Sequence, residues 1–206
     1  MNIICLILAR KNSKRIINKN LINFKGKPLI YWSLKQSLRL KNIDKVIISS
    51  DSNEIINFVK KVSNKFVINK RPKYLSKDKT TSEATIKYLI KKYKIKENTY
   101  ILLLQPTSPL RKIDDVKKII NFTRKYKTNS IHSVSVYKGK KILRKKIISI
   151  NKKINKNHNL SINGSIYFFK TELLVKKNSI YEKPQFVYIT AKKNSLDIDN
   201  YSDLKK

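Results

Sequence analysis

The sequence predicts a single α/β domain, residues 1–206, with a mostly parallel sheet flanked by helices and a small inserted β arm. Three observations predict it. Apolar runs of strand length alternate with segments of helical period, the pattern of successive βαβ units. One run, "TYILLL", reads as an apolar strand, as a central parallel strand covered on both faces requires. The chain of 206 residues is long enough for one sizeable core, and only the Lys/Asn-rich stretch 151–159 looks like a low-complexity segment.

The elements follow in order. The first strand is expected over 3–9. After "KGKP", Pro28 can open a helix whose Ile30, Leu34 and Leu38 share one face. "KVIISS" reads as a second strand, followed by a helix that carries Ile55, Ile56, Val59 and Val62. "KFVIN" is a short third strand. In the helix "TTSEATIKYLIKKY", Thr80 and Glu83 have the spacing of a capping box. The fourth strand is "TYILLL", and a helix from about Asp114 to Tyr126 leads to "SIHSVSVY". From about 138 the pattern changes. "KILRKKIISINKK" reads as a hairpin or arm with no obvious place in a single sheet, "NGSIYFF" as a strand, "TELLVKK" as a short helix, and "FVYIT" as the strand that closes the sheet.

Composition narrows the function classes. The formal net charge is +35, which suggests a polyanion partner. Lys, Ile and Asn, all read from A/T-rich codons, make up 93 of the 206 residues, and there are 41 Lys against 7 Arg. A dedicated nucleic-acid surface would enrich Arg for its bidentate fork and gather charge on one face. Here Lys is spread along the whole chain, which argues against a specific nucleic-acid partner. Cys5 is the single cysteine and lies within an apolar run, so a reducing, cytoplasmic setting is expected. No apolar stretch approaches the roughly 20 residues of a membrane span. Nor does the N-terminus read as a signal peptide, because its charge follows the apolar run instead of preceding it.

The polar residues gather where chemistry is expected. Each strand of the first half runs into an unusual polar loop: "RKNSKRIINKN", "SDSN", "KRP" and "QPTSPLR". In a parallel sheet these loops share the edge on which α/β proteins bind ligands. The first loop is neither a Walker A motif nor a GxGxxG fingerprint. Its Arg10, Ser13, Lys14 and Lys19 suit a triphosphate, or else form a solvated basic face. In "LDIDN", an extended backbone would put Asp197 and Asp199 on one face, suited to Mg²⁺ or Mn²⁺; alternatively, Asp199 caps the final turn. "QPTSPLR" presents Gln105, Thr107 and Ser108 on a proline-fixed turn, and His132 reads as a packed core residue.

"LARKNSKRIINKNL", "SSDSNEI", "RP" with "TTSEA", "LLQPTSPLR", "NGSIY" and "NSLDIDNYSDL" occur in the order found in the acylneuraminate cytidylyltransferase family, which the chain resembles along essentially its entire length. The resemblance implies a Rossmann-like enzyme of the nucleotide-diphospho-sugar transferase type, coupling CTP to an acidic nonulosonic sugar with release of pyrophosphate. It implies that Ala9, Arg10, Ser13, Lys14, Lys19 and Asn20 form the triphosphate loop, with Arg10 and Lys19 stabilising the leaving group. Arg71 and Ser82 would contact the nucleotide. Gln105, Thr107, Ser108, Asn163, Gly164 and Tyr167 would face the sugar, and Asp197 with Asp199 would hold Mg²⁺. It also implies a homodimer through an arm at about 138–160, although "NKKINKNHNLSI" departs from the family pattern there. The alternatives are a transferase for another sugar acid, such as 3-deoxy-manno-octulosonate, and a degenerate basic RNA-binding protein.

Overall fold

Strand β1 (Ile3–Leu8) owes its position to a run of side chains with nowhere to go but inward, for five of its six residues are buried. The computed structural model describes residues 1–13, 15–137, 147–154 and 159–206. A two-stranded ribbon, β2 (Asn23–Phe24) and β3 (Lys27–Pro28), turns through Lys25 and Gly26, both at positive φ (51° and 79°). Then come α1 (Leu29–Leu38), β4 (Lys45–Ser50), α2 (Asn53–Val62), β5 (Val67–Lys70), α3 (Ser82–Lys92), β6 (Tyr100–Leu104) and α4 (Ile113–Tyr126). The second half supplies β7 (Ser130–Tyr137), β8 (Ile147–Ser149), β9 (Asn159–Lys170), α5 (Thr171–Lys177) and β10 (Gln185–Ile189).

Eight strands form one sheet in the order β5-β4-β1-β6-β9-β7-β10-β8. Every neighbouring pair is parallel except the two that involve β9, which runs antiparallel to β6 and to β7. The alternation of β1 sends its residues to two cores. Ile3, Cys5 and Ile7 pack with Ile30 and Leu34 of α1, Val59 of α2 and Ile119 of α4. Ile4 and Leu6 pack on the opposite face with Ile86 and Leu89 of α3 and Leu174 of α5. Each such side chain, fully buried, contributes about 1.5–3 kcal/mol. Among the described residues no helix is long and apolar enough to cross a membrane.

Several local expectations are corrected. Pro28 is the N-cap of α1 and not its first helical residue, and the buried face runs through Leu29, Ile30, Ser33, Leu34 and Ser37, leaving Leu38 40% exposed. The cap of α3 is Thr81, whose hydroxyl accepts from the Ala84 N–H at 3.1 Å. Thr80 is instead drawn back into the preceding loop, where its hydroxyl donates to the Tyr74 carbonyl at 3.3 Å. Ile147–Ser149 of the expected arm does find a place in the sheet, as an edge strand beyond β10, so "FVYIT" is not the closing strand. The reason is that β10 offers a free parallel edge, and Asn151 locks the junction by bonding both the Ile189 carbonyl and the Ile189 N–H at 2.9 Å. The rest of that expectation, 138–146 and 155–158, lies outside the described residues.

His132 is a core residue, 1% exposed, with its ring against those of Tyr167 and Tyr181. Burial pulls its pKa down to about 3. Below pH 6.5 the unfolded chain therefore takes up a proton that the folded chain refuses until about pH 3. Stability falls through that window by about 1.4 kcal/mol per pH unit from this group. His132→Phe keeps the aromatic packing and removes the proton. The difference in unfolding free energy between His132→Phe and wild type is expected to shift in the variant's favour from pH 6.5 to 5, measured by urea denaturation; a difference independent of pH would contradict the buried neutral imidazole.

Candidate active site

Parallel register places the carboxyl ends of β1, β4, β5 and β6 along one edge, so the loops that follow them converge. Between them lies a cleft of about 210 Å³. Its lining includes Arg10, Ser13, Lys19, Asn20, Ser82, Gln105 and Thr107, together with four residues the sequence did not single out: Leu8, Asn12, Leu103 and Pro106. Ser82 is the first residue of α3, so the positive end of an 11-residue helix faces the cleft.

The basic loop after β1 is held by its own residues. Ile16 is fully buried beside Leu29 and Ile198, which pins the middle of the loop to the protein. Asn18 takes a left-handed backbone (φ 49°), a conformation that asparagine tolerates better than most residues, and a short 3₁₀ turn follows over Lys19–Leu21. The Asn20 amide donates to the Arg10 carbonyl at 2.8 Å, closing the loop on itself. Lys19 then reaches across to the C-terminal segment, its Nζ donating to the Ile198 carbonyl at 2.9 Å and to Asp199 Oδ1 at 3.0 Å. Arg10 lies further out, with Nη1 3.2 Å from the Lys77 carbonyl and 3.3 Å from Asp78 Oδ1. Ala9 is buried and continues the sheet through its N–H to the Ser49 carbonyl, so it contributes backbone alone. Lys14 lies outside the described residues.

The floor of the site depends on Gly164. Its φ of +71° falls where the pairing of β9 with β7 shifts register, and a Cβ there would stand 3.0 Å from Gln105 Oε1 and 3.7 Å from Asp197 Oδ2. Gly164 thus brings the loop after β6 and the C-terminal segment to one point. Asp197 has an oxygen, Oδ1, that is buried and has no hydrogen-bond partner. Burial raises its pKa above the ordinary carboxylate value, opposed by a hydrogen bond from Thr107. Residues 195–199 do not form a strand; Ile198 is fully buried between the two aspartates and its N–H donates to the Thr107 carbonyl at 2.8 Å. Asp199 does not cap the final turn either. Asn200 does, in a capping box with Asp203, while Asp199 is ion-paired to Lys19 and, at 2.8 Å, to Arg15.

A carboxylate oxygen without a donor is what a hard cation needs, and Asp197 supplies one. Among the described residues no group of three or more His, Cys, Asp or Glu could hold a metal. Mg²⁺ commonly takes only one or two protein carboxylates and completes its shell with phosphate and water, so the Asp197/Asp199 pair fits that mode.

Other predicted site residues have inward tasks. The Asn163 side chain is turned inward, accepting from Ser133 Oγ (2.6 Å) and the Ser165 N–H (3.2 Å) and donating to Thr190 Oγ1 (2.7 Å). It shapes the backbone at Gly164. Arg71 is 7% exposed and bonds the hydroxyl and carbonyl of Ser49, and burial lowers its pKa to about 10. Ser108 is wholly buried with its hydroxyl unpartnered, away from the cleft lining, because the proline-fixed turn folds it inward. Tyr167 is half-buried against His132, and burial pushes its phenol upward.

The residue that sequence reasoning passed over is Arg111. Its guanidinium is buried, with pKa lowered by burial to about 10, and donates to the Ser165 carbonyl (2.7 Å), the Gln105 carbonyl (2.7 Å) and Gln36 Oε1 (2.6 Å). The signal was present: an arginine ends a loop in a chain with 41 Lys against 7 Arg.

With this geometry in place, comparison with known proteins decides the family. A model of the cytidylyltransferase family matches residues 4–205. The chain belongs to that family. Among its relatives, the N-acylneuraminate cytidylyltransferase of Escherichia coli is 29% identical over 98% of this chain and 50% of that protein. The CMP-N,N′-diacetyllegionaminic acid synthase of Legionella pneumophila is 28% identical over 98% of this chain and 93% of that protein. A pseudaminic acid cytidylyltransferase of Campylobacter jejuni is 38% identical over 57% of this chain and 51% of that protein. The chain spans about half, or less, of the length of the first curated relatives it matches. The fold is that of a CMP:2-keto-3-deoxy-manno-octonic acid synthetase solved with CTP, with a TM-score of 0.75, 16% identity, and coverage of 100% of this chain and 96% of the other.

Two substitutions test how this cytidylyltransferase-family site is assembled. Gly164→Ala adds a methyl at positive φ against Gln105 and is expected to cost about 1–2 kcal/mol. Arg111→Met leaves the Gln105 and Ser165 carbonyls without their donor and is expected to cost about 3 kcal/mol. Both are read by urea denaturation, and a cost below about 0.5 kcal/mol in either would show that the contact does not hold the site.

Proposed function

We propose that this protein transfers a cytidylyl group from CTP to an acidic nonulosonic sugar, of the N-acetylneuraminate, legionaminate or pseudaminate kind, releasing pyrophosphate. The observation that carries the reading is the meeting of the first and last polar loops: Lys19 bonds the Ile198 carbonyl and Asp199 beside a buried, donorless Asp197 oxygen. Lys19, which lines the cleft, thereby ties cations suited to a polyphosphate to carboxylates suited to a divalent ion. The relatives' names supply the sugar class, and the family match supplies the nucleotide.

In this reading the anomeric hydroxyl attacks the α-phosphorus in line, and the bond to the β-phosphate oxygen breaks. Catalysis of this kind is positioning plus neutralisation of charge. Lys19 and Arg10 stabilise the departing pyrophosphate, and Ser13, Asn20 and the N-terminus of α3 at Ser82 hold the phosphate chain. Gln105 and the Gly164 backbone present the sugar, with Tyr167 at its side. Asp197 and Asp199 would hold Mg²⁺, which when bound supplies positive charge at the phosphates and lowers the pKa of a coordinated hydroxyl. The reading includes a cytoplasmic enzyme, with Cys5 buried and its thiol pushed up to about 12 by burial. It also includes a homodimer through the 138–160 region, where the β8 edge leaves Ile148 44% exposed; light scattering at micromolar concentration is expected to show the dimer mass.

The decisive assay is pyrophosphate release from CTP with Mg²⁺ and a panel of sugar acids. Release is expected with a nonulosonic acid; release only with 3-deoxy-manno-octulosonate, or only with another nucleotide, would replace this reading. Lys19→Ala is expected to lower kcat/KM for CTP by roughly 10- to 150-fold, the equivalent of a lost charge-assisted phosphate contact of about 1.5–3 kcal/mol. An unchanged kcat/KM would mean that the loop is merely a solvated face.

A further inference from the structure

We propose that Arg15, together with Lys19, holds Asp199 as an internal substitute for nucleotide phosphate, so that polyphosphate and divalent cation each promote the other's binding. The inference rests on the reading that the cleft takes a nucleoside triphosphate with a divalent cation, and it assigns Arg15 a positioning role.

The two aspartates stand in opposite states. Each oxygen of Asp199 has its own cation: Arg15 Nη1 lies 2.8 Å from Oδ2, and Lys19 Nζ lies 3.0 Å from Oδ1. Asp197, two residues earlier, has an oxygen with no donor at all. The formal charges of Arg15, Lys19, Asp197 and Asp199 cancel, so a divalent cation arriving alone finds no net negative charge in this group. It finds one carboxylate oxygen without a donor and, on the other carboxylate, a cation already on each oxygen. A polyphosphate arriving alone finds both cations engaged.

Arriving together, the two ligands resolve both conflicts. The phosphates draw Arg15 away while Lys19 keeps its bond to the Ile198 carbonyl, and Asp199 Oδ2 is released to the metal. The exchange is feasible because the Arg15–Asp199 pair is exposed, at 62% and 45% of the two side chains, and exposed pairs are weak. The loop itself need not move, because Ile16, next to Arg15, is fully buried. By linkage, whatever nucleotide does for metal affinity, metal does equally for nucleotide affinity.

Two one-ligand titrations of the full chain at low ionic strength test this. Mn²⁺ binding without nucleotide is followed by the free-ion electron paramagnetic resonance signal. Binding of CTP, and in parallel of inorganic tripolyphosphate, is followed by calorimetry in the presence of a chelator. Arg15→Gln is expected to shift the two ligands in opposite directions, tightening Mn²⁺ about threefold and weakening metal-free CTP and tripolyphosphate about threefold, with Arg15→Lys restoring both. A variant that merely folds its loop less well would weaken both ligands, and that outcome, or no change in either, would overturn the proposal. If wild type binds tripolyphosphate but not CTP and the opposite shifts persist, the proposal stands and the nucleotide reading falls. CTP binding without the opposite shifts overturns the proposal and leaves the nucleotide reading standing, and a wild type that binds neither ligand overturns both.

Discussion

The buried guanidinium of Arg111 is the constraint on which the site depends. A planar fork of donors in a low-dielectric interior must be matched on every side, because an unpaired buried charge costs several kcal/mol. Here it is matched by two main-chain carbonyls and an amide from three separate parts of the chain: Gln105 after β6, Ser165 in β9 and Gln36 in α1. None of these can shift without abandoning the charge. Lysine, with one ammonium and no fork, could not make the same three-way junction. This explains why one of only seven arginines stands at that position in a chain so rich in lysine.

Around this fixed junction the charges are arranged loosely. Arg10, Lys11 and Arg15 make ion pairs with Asp78, Glu54 and Asp199, in which each side chain keeps roughly a third or more of its surface exposed. Such pairs add little stability and exchange readily. Lys19 differs, being 13% exposed and bonded to a main-chain carbonyl as well as to Asp199. The site therefore combines a rigid floor of carbonyls and turns with a rim of cations that can trade partners, which suits a ligand that carries its charge in a flexible phosphate chain.

Much of this was legible in the sequence, and the reasons divide by distance along the chain. The strands and helices of the first half were readable because burial on two sheet faces leaves a strong local pattern, as in "YILLL" and in Ile55 and Val59. The convergence of the loops followed from parallel topology alone. What the sequence concealed were pairings between distant residues. Nothing local distinguishes Thr80 from Thr81 as a cap, since the choice is made by the Tyr74 carbonyl. Nothing in "NGSIY" says that Asn163 turns inward to Ser133 and Thr190 while Gly164 makes the closest approach. Asp199 suited a cap by type, but Asn200 took that place because its own carboxylate partner, Asp203, sits at the matching spacing. The edge strand at Ile147–Ser149 was hidden because a three-residue strand carries no periodicity, only a partner.

Among the described residues β9 is the one antiparallel strand of the eight-stranded sheet, and it joins the two halves of that sheet. Without β9 the sheet falls into two parallel groups, β5-β4-β1-β6 and β7-β10-β8, with no hydrogen bonds between them. β6 pairs with β1 across 97 residues of chain, Ile3 to Tyr100, and with residues 166–170 of β9 across 62 to 70, so both of its neighbours are distant in sequence. Long-range closures of this kind come late, because the entropy of the intervening loop is lost before the contact is gained. The strand that makes the closure also carries Asn163 and Gly164. Completion of the sheet and the close approach of Gly164 to Gln105 and Asp197 are thus one event, and the chain sets that side of its site only as the two halves of the sheet join.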